Sequence, residues 1–180
     1  MSSPLRRGLP DTEEALDFLR KNHCNRKIVK HSLVVAKTAA RLVKDLLDRG
    51  VEVDRGLVWA GALLHDVGRA VTADVKHGAE GARLLREAGF AEELARIVER
   101  HVGAGIPMVE AACIGLYPKD YLPETLEEKV VCYADKLVSG SKVTGIGHTV
   151  KLFAERLGPD HPSVNRIRKL HQEIMGLLAG

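Results

Sequence analysis

Cysteine is too sparse in this sequence to build a disulfide framework. Cys24, Cys113 and Cys132 are odd in number, far apart and free of any CxxC spacing, which argues against structural disulfides and against a zinc-thiolate cluster. Each reads as a small buried or half-buried apolar residue. Long hydrophobic runs are missing too: none reaches the roughly 18 residues that a membrane span needs. The opening MSSPLRRGLPDTEE carries charge but no apolar segment of a signal peptide, so no membrane association is expected and a cytoplasmic location is. Aromatics are only 4% of residues. No charge of one sign dominates either, because 27 basic residues are interspersed with 24 acidic ones for a net charge of +3. That balance argues against a nucleic-acid partner and suits a small phosphorylated substrate.

What is present is an ordinary globular composition, 45% hydrophobic and 28% charged over 180 residues, enough for one compact domain and short for two. Residues 1–180 are expected to be a single domain. Apolar residues recur with helical spacing almost throughout and no stretch alternates as a strand would, so the expected fold is all-α, a bundle of about seven to nine helices. The first helix lies around Asp11 to Lys21, with Asp11 or Thr12 as its cap. After a break near Asn22 to Asn25, a long helix runs from Arg26 to about Asp48 and stops at Gly50. Its apolar stripe contains Ile28, Val35, Ala39, Leu42 and Leu46, and His31 falls on that stripe.

The next helix, capped by Asp54, contains the uncharged run Leu57 to Leu64 and should be buried on all sides. His65 and Asp66 stand directly at its end, followed by Gly68 as a helix terminator and by Arg69. KHGAEGARLLREAG gives a helix with His77 facing inward at its first turn, closed by Gly89. AEELARIVERHVG gives another, with His101 inward at its last turn before Gly103. Gly103 to Pro123 should be a loop, a short helix over Met108 to Leu116 and a second loop, a candidate lid. Thr125 and Glu128 form a capping-box signature before VVCYADKLV, where Asp135 shares a buried stripe with Val131 and Val138. SGSKVTGIGHT reads as loop, with Gly145-Ile146-Gly147 a turn that lacks the strand and Lys-Ser/Thr pair of a phosphate loop. Two closing helices follow over about 148–178.

A carboxylate buried among apolar side chains costs several kcal/mol unless it is paired or bound to a cation. His31, the His65-Asp66 pair and Asp135 all point into such a setting, and mixed imidazole and carboxylate donors favour Mn, Fe, Ni, Co or Zn over Ca or Mg. Taken singly, His31, His77 or His101 is more often a hydrogen-bonded core histidine than a ligand. Asp135 alone could pair with Lys136, and Asp66 could be an ordinary turn residue. Their coincidence on separate helices favours a common site. His23, His148, His161 and His171 lie in polar or terminal contexts and read as surface or structural residues.

KHSLVVAKTAARL, AGALLHDVGRA and VCYADKLV together resemble the H…HD…D signature of HD-domain metal-dependent phosphohydrolases over about Ile28 to Ser141. HDVGR is similar to the HDIGK/R variant, and PKDYLPETLEEKVVCYADKLV resembles small stand-alone archaeal members. The resemblance implies that His31, His65, Asp66 and Asp135 ligate one divalent transition metal, and that His77 and His101 would hold a second with Asp66 bridging. The chain departs from many two-metal cyclic-dinucleotide phosphodiesterases, having His101-Val102 where they have paired histidines, and no later Gly-Tyr-Pro. The implied reaction is hydrolysis of a phosphomonoester or phosphodiester, with a nucleotide as the expected substrate, by metal-activated water. Arg69 and Lys136 are candidate phosphate contacts, with a solvated surface charge as the alternative reading of each. His77 or His101 would protonate the leaving oxygen if no second metal is bound. Two other readings stay open: a di-iron oxygenase, which would consume oxygen, and a non-catalytic metal- or nucleotide-binding module. The oligomeric state is open as well, a homodimer included.

Overall fold

A computed structural model describes residues 8–180, which form nine α-helices and one two-stranded hairpin. In chain order the helices are α1 Thr12–Lys21, α2 Arg26–Leu47, α3 Arg55–Leu64, α4 His77–Glu87, α5 Glu92–Arg100, α6 Met108–Cys113, α7 Leu126–Lys136, α8 Ile146–Leu157 and α9 Pro162–Ala179. Helix starts follow local chemistry. The side chains of Asp11, Asn25, Asp54 and Thr125 accept backbone N–H bonds from the first turns of α1, α2, α3 and α7, each worth about 1 kcal/mol. Glu128 does not close the capping box back onto Thr125. Its carboxylate instead accepts from the Glu124 N–H at 2.7 Å and from Arg100 at 2.9 Å.

Helix α3 is the central element, packed by α1, α2, α5 and α7. Its second half is fully enclosed, with Ala60, Ala62, Leu63 and Leu64 all 0% exposed, and each buried leucine contributes roughly 2 kcal/mol. Its first half departs from the expected all-round burial. Leu57 and Trp59 are half-buried, and the Trp59 indole N–H donates to Thr12 Oγ1 at 2.9 Å. Helices α2 and α7 flank α3, α5 packs on it as well, and α4 packs on α5 and on the turn that follows α3, so the end of α3 faces into the middle of the bundle.

Four local features differ from the sequence reading. Gly68 does not stop α3, which ends at Leu64; it sits within a 3-10 turn, Val67–Ala70. A Cβ on Gly68 would lie 1.9 Å from the His77 carbonyl oxygen, so glycine there lets the turn press against the start of α4. SGSKVTGIGHT is not all loop: Val138–Ser139 (β1) pairs antiparallel with Lys142–Val143 (β2), strands too short to leave an alternating pattern. Ile146 and Gly147 begin α8, and Gly145 is its cap with φ +82°. Cys113 is exposed rather than buried. The segment between α5 and α7 is fastened down by an Ile106–Tyr121 bridge, a small core of Ile106, Ala111 and Tyr121, and a bidentate Arg166–Glu110 ion pair, so it stands as a wall. Among the described residues no helix is long and apolar enough to cross a membrane.

Candidate metal centre

The six residues singled out as ligands converge at the end of α3. His31 comes from α2, His65 and Asp66 from the end of α3, His77 from the start of α4, His101 from the end of α5 and Asp135 from the last turn of α7. His31 Nε2 lies 2.9 Å from Asp135 Oδ1 and 3.9 Å from Asp66 Oδ2. His65 Nε2 lies 3.5 Å from Asp135 Oδ1 and 3.7 Å from Asp66 Oδ2. On the other side, Asp66 Oδ1 is 3.2 Å from His77 Nε2 and 3.5 Å from His101 Nε2, and those two nitrogens are 3.1 Å apart. Two overlapping groups of donor atoms are compact enough for an ion, His31 with His65 and Asp135, and His65 with Asp66 and His101.

The outer edges of the four rings fix what the inner edges present. Each Nδ1 faces a backbone carbonyl: His31 that of Gly140 at 2.7 Å, His65 that of Ala62 at 2.8 Å, His77 that of Asp74 at 2.7 Å and His101 that of Val98 at 2.7 Å. A carbonyl only accepts, so each Nδ1 carries the proton, and a neutral ring turns its Nε2 lone pair inward. For His65, His77 and His101 the carbonyl belongs to the residue three positions back, within a turn of the same chain. With the rings neutral, the interior presents four imidazole lone pairs and two carboxylates, all acceptors. Within it, His65 Nε2 and Asp66 Oδ1 are buried without a hydrogen-bond partner. A metal cation satisfies such a set, and backbone-anchored imidazoles are the usual support of metal ligands; the donors fit a divalent transition metal.

The protein's own cations balance the site only in part. Arg69 Nε donates to Asp66 Oδ2 at 2.8 Å. Lys136, read from sequence as equally well a solvated surface charge, is instead buried; its ammonium donates to Asp135 and, at 3.2 Å, to the His101 carbonyl. Burial would raise the carboxylate pKa values, but positive charge on His65 beside Asp66, and on Lys136 and His65 beside Asp135, holds both far below the ordinary carboxylate range as long as no metal supplies that charge. Burial pushes His101 down to about 4. His65 is pulled down by burial and lifted more by Asp66 and Asp135, ending above its ordinary value.

A cleft of about 450 Å³ opens onto this centre, lined by Arg69, His77, His101, Asp135 and Lys136 on one side and by Thr149, Phe153 and Arg156 of α8 on the other. The α8 residues were missed in the sequence, although their spacing at 149, 153 and 156 places them on one helical face. Gly140 was missed as well: its carbonyl, at the tip of the hairpin, orients His31. The four other histidines stay outside the centre. His161 caps α9, His171 pairs with the Tyr133 hydroxyl at 2.7 Å, and His23 and His148 are exposed.

A family profile of the HD domain matches residues 28–140. The chain belongs to the HD-domain family. An uncharacterised protein of Methanocaldococcus jannaschii is 51% identical over 92% of this chain and 98% of its own length. A tRNA (cytidine(56)-2'-O)-methyltransferase of Picrophilus torridus is 38% identical over 94% of this chain, which spans 48% of that relative. Among solved structures, the HD domain of the Listeria monocytogenes phosphodiesterase PgpH in complex with cyclic-di-AMP superposes with a TM-score of 0.54 over 91% of this chain and 94% of that one. At 16% identity that likeness establishes the shared fold.

Proposed function

We propose that this HD-domain protein is a metal-dependent phosphohydrolase that cleaves a phosphomonoester or phosphodiester of a nucleotide. The observation that carries the reading is the acceptor-rich interior, in which four inward imidazoles surround two carboxylates with His65 Nε2 and Asp66 Oδ1 left unpaired. His31, His65, Asp66 and Asp135 would hold one divalent transition metal, and His77 and His101 together with Asp66 would hold a second. When bound, such a metal supplies Lewis acidity that makes water a nucleophile near neutral pH and withdraws charge from a phosphoryl oxygen.

The chain's own residues supply positioning and charge. Arg69 gives Nε to Asp66 and Nη1, at 3.5 Å, to the Ala73 carbonyl, and keeps Nη2 for the cleft, where it neutralises phosphoryl oxygens as they gain charge. Lys136 holds Asp135 ionised and leaves an N–H for substrate. His77 lines the cleft with its Nε2 inward; when only the first metal position is filled, that nitrogen would first take up a proton and then pass it to the departing oxygen. The relationship to a tRNA-modifying enzyme over about half that enzyme's length, and the fold shared with a cyclic-dinucleotide phosphodiesterase domain, support a substrate that carries a nucleotide.

A phosphoester and nucleotide panel run with Mn, Fe, Ni, Co and Zn tests this. Metal-stimulated release of phosphate or nucleotide without oxygen uptake is expected, and it should vanish in His31→Ala and Asp135→Ala. A folded, metal-loaded protein that hydrolyses nothing in the panel would overturn the reading, and oxygen consumption by an iron-loaded form would replace it with the oxygenase.

A further inference from the structure

The cleft at the metal centre continues into a second one. This neighbour, about 510 Å³, shares Val75, Val102, Gly103, Phe153 and Arg156 with the first and runs between α6 and α8. Its surface is apolar, from Val109 and Cys113 on α6, Ile114 just past its end, and Phe153 and Leu157 on α8. Polar groups at its rim are already engaged. Glu110 accepts two bonds from Arg166 at 2.8 and 2.6 Å, Arg166 also donates to Ser163 Oγ, and His161 Nδ1 accepts the Ser163 N–H. The wall therefore offers contact area and little hydrogen-bond discrimination.

Two observations indicate what it receives. Val109 is 71% exposed and Leu157 43% exposed, so apolar surface stands uncovered beside a charged centre, an arrangement typical of a binding site. Arg156 lies on the boundary of both clefts and forms no ion pair or side-chain hydrogen bond among the described residues. An occupant that spans the two clefts has an anionic end at the metal centre and an apolar body in the second cleft. The Phe153 ring and the free Arg156 guanidinium at the junction are both groups on which planar rings stack.

Resting on the phosphohydrolase reading, we infer that the second cleft is the nucleobase subsite. The base packs between α6 and α8, Arg156 faces the sugar-phosphate at the junction, and the phosphoryl group lies at the metal centre. Recognition by stacking and burial tolerates any base. The base belongs either to a free nucleotide or to the terminal nucleotide of an oligonucleotide.

Calorimetric titration of the full chain loaded with Mn²⁺ separates these claims, using phosphonates whose P–C bond cannot be hydrolysed. A nucleoside 5′-methylenephosphonate is expected to bind at least tenfold more tightly than methylphosphonate, with adenine, guanine and cytosine forms within a few-fold of one another. Val109→Asp and Leu157→Asp, at exposed positions that leave the fold intact by far-UV circular dichroism, should erase that advantage while methylphosphonate affinity stays unchanged. A short oligoadenylate that competes more strongly than the mononucleotide assigns the base to a chain end, and a weaker one assigns it to a free nucleotide. The inference is overturned if the nucleoside adds nothing to methylphosphonate affinity, if both aspartate variants keep the full advantage, or if octylphosphonate binds as tightly as the nucleoside compound. If methylphosphonate itself does not bind the loaded protein, the phosphohydrolase reading fails first and the subsite falls with it.

Discussion

Two pairs of carboxylates, all buried except the half-buried Asp135, sit in this protein under opposite conditions. Glu99 and Glu128 are closed structural charges. Glu99 accepts from Arg86 at 3.0 Å and from Lys119 at 2.9 Å, and Glu128 accepts from Arg100 at 2.9 Å and the Glu124 N–H at 2.7 Å. Asp66 and Asp135 are ringed by imidazoles that turn lone pairs toward them, with a single arginine and a single lysine as local cations, and Asp66 Oδ1 has no donor. Burial alone thus does not mark a functional carboxylate. An interior that its own chain leaves short of positive charge does.

Exchanging the fates of the two pairs gives the largest expected effects. Asp66→Ala should cost at least a thousandfold in hydrolysis, about 4 kcal/mol of transition-state stabilisation, while the metal-free protein unfolds in urea no more easily than metal-free wild type. Glu99→Ala should do the reverse, losing about 1 kcal/mol of stability, because Arg86 keeps Glu92 and Lys119 is exposed to solvent, and keeping its rate per folded molecule. If Glu99→Ala were the inactive one, the contrast would be broken.

Metal removal sharpens the same contrast. A ligand at a thousand times its Kd adds about 4 kcal/mol to stability, so chelation should lower the wild-type Tm by about 10 °C and leave Asp66→Ala unmoved. Lys136→Met and Arg69→Ala come next, each lowering kcat/KM about tenfold, or about 1.4 kcal/mol, with metal content by atomic emission unchanged. Loss of metal from either variant would move that cation from substrate to scaffold.

The smallest effect is in the pH dependence of stability. Burial would raise the pKa of Glu99, but Arg86 and Lys119 pull it below its ordinary value of 4.5. The stability it contributes is therefore complete above about pH 4.5 and is lost as pH falls through the lowered folded-state value. Urea midpoints of Glu99→Gln should accordingly fall less steeply with acid than those of the wild type.

Sequence pattern carried those parts of the molecule that short-range physics decides. Asp11, Asp54 and Thr125 were legible as caps because a cap bonds its own next turn. His31, His65, Asp66 and Asp135 were legible because each is polar on a stripe or run that must be buried. What escaped depends on how distant segments dock. Lys136 follows Asp135 at the end of a helix, a placement that in sequence fits solvent as well as the interior; only the packing of α7 against α5 buries it under the His101 carbonyl. Gly68 has the look of a helix stop, yet its role is set by the His77 carbonyl nine residues later. The hairpin over 138–143 has strands of two residues, too few for any periodicity, although its turn supplies the carbonyl that orients His31. Phe153 and Arg156 reach the cleft because of where α8 lands after that hairpin.

The central claim, that the open carboxylate pair is a metal centre, is tested most directly by the metal content of purified wild type beside Asp66→Ala and Glu99→Ala. The account predicts at least one equivalent of a divalent transition metal in wild type and in Glu99→Ala, and loss of it in Asp66→Ala. Equal metal in all three folded proteins, or none taken up by the wild type from a Mn- or Fe-supplemented buffer, would contradict it.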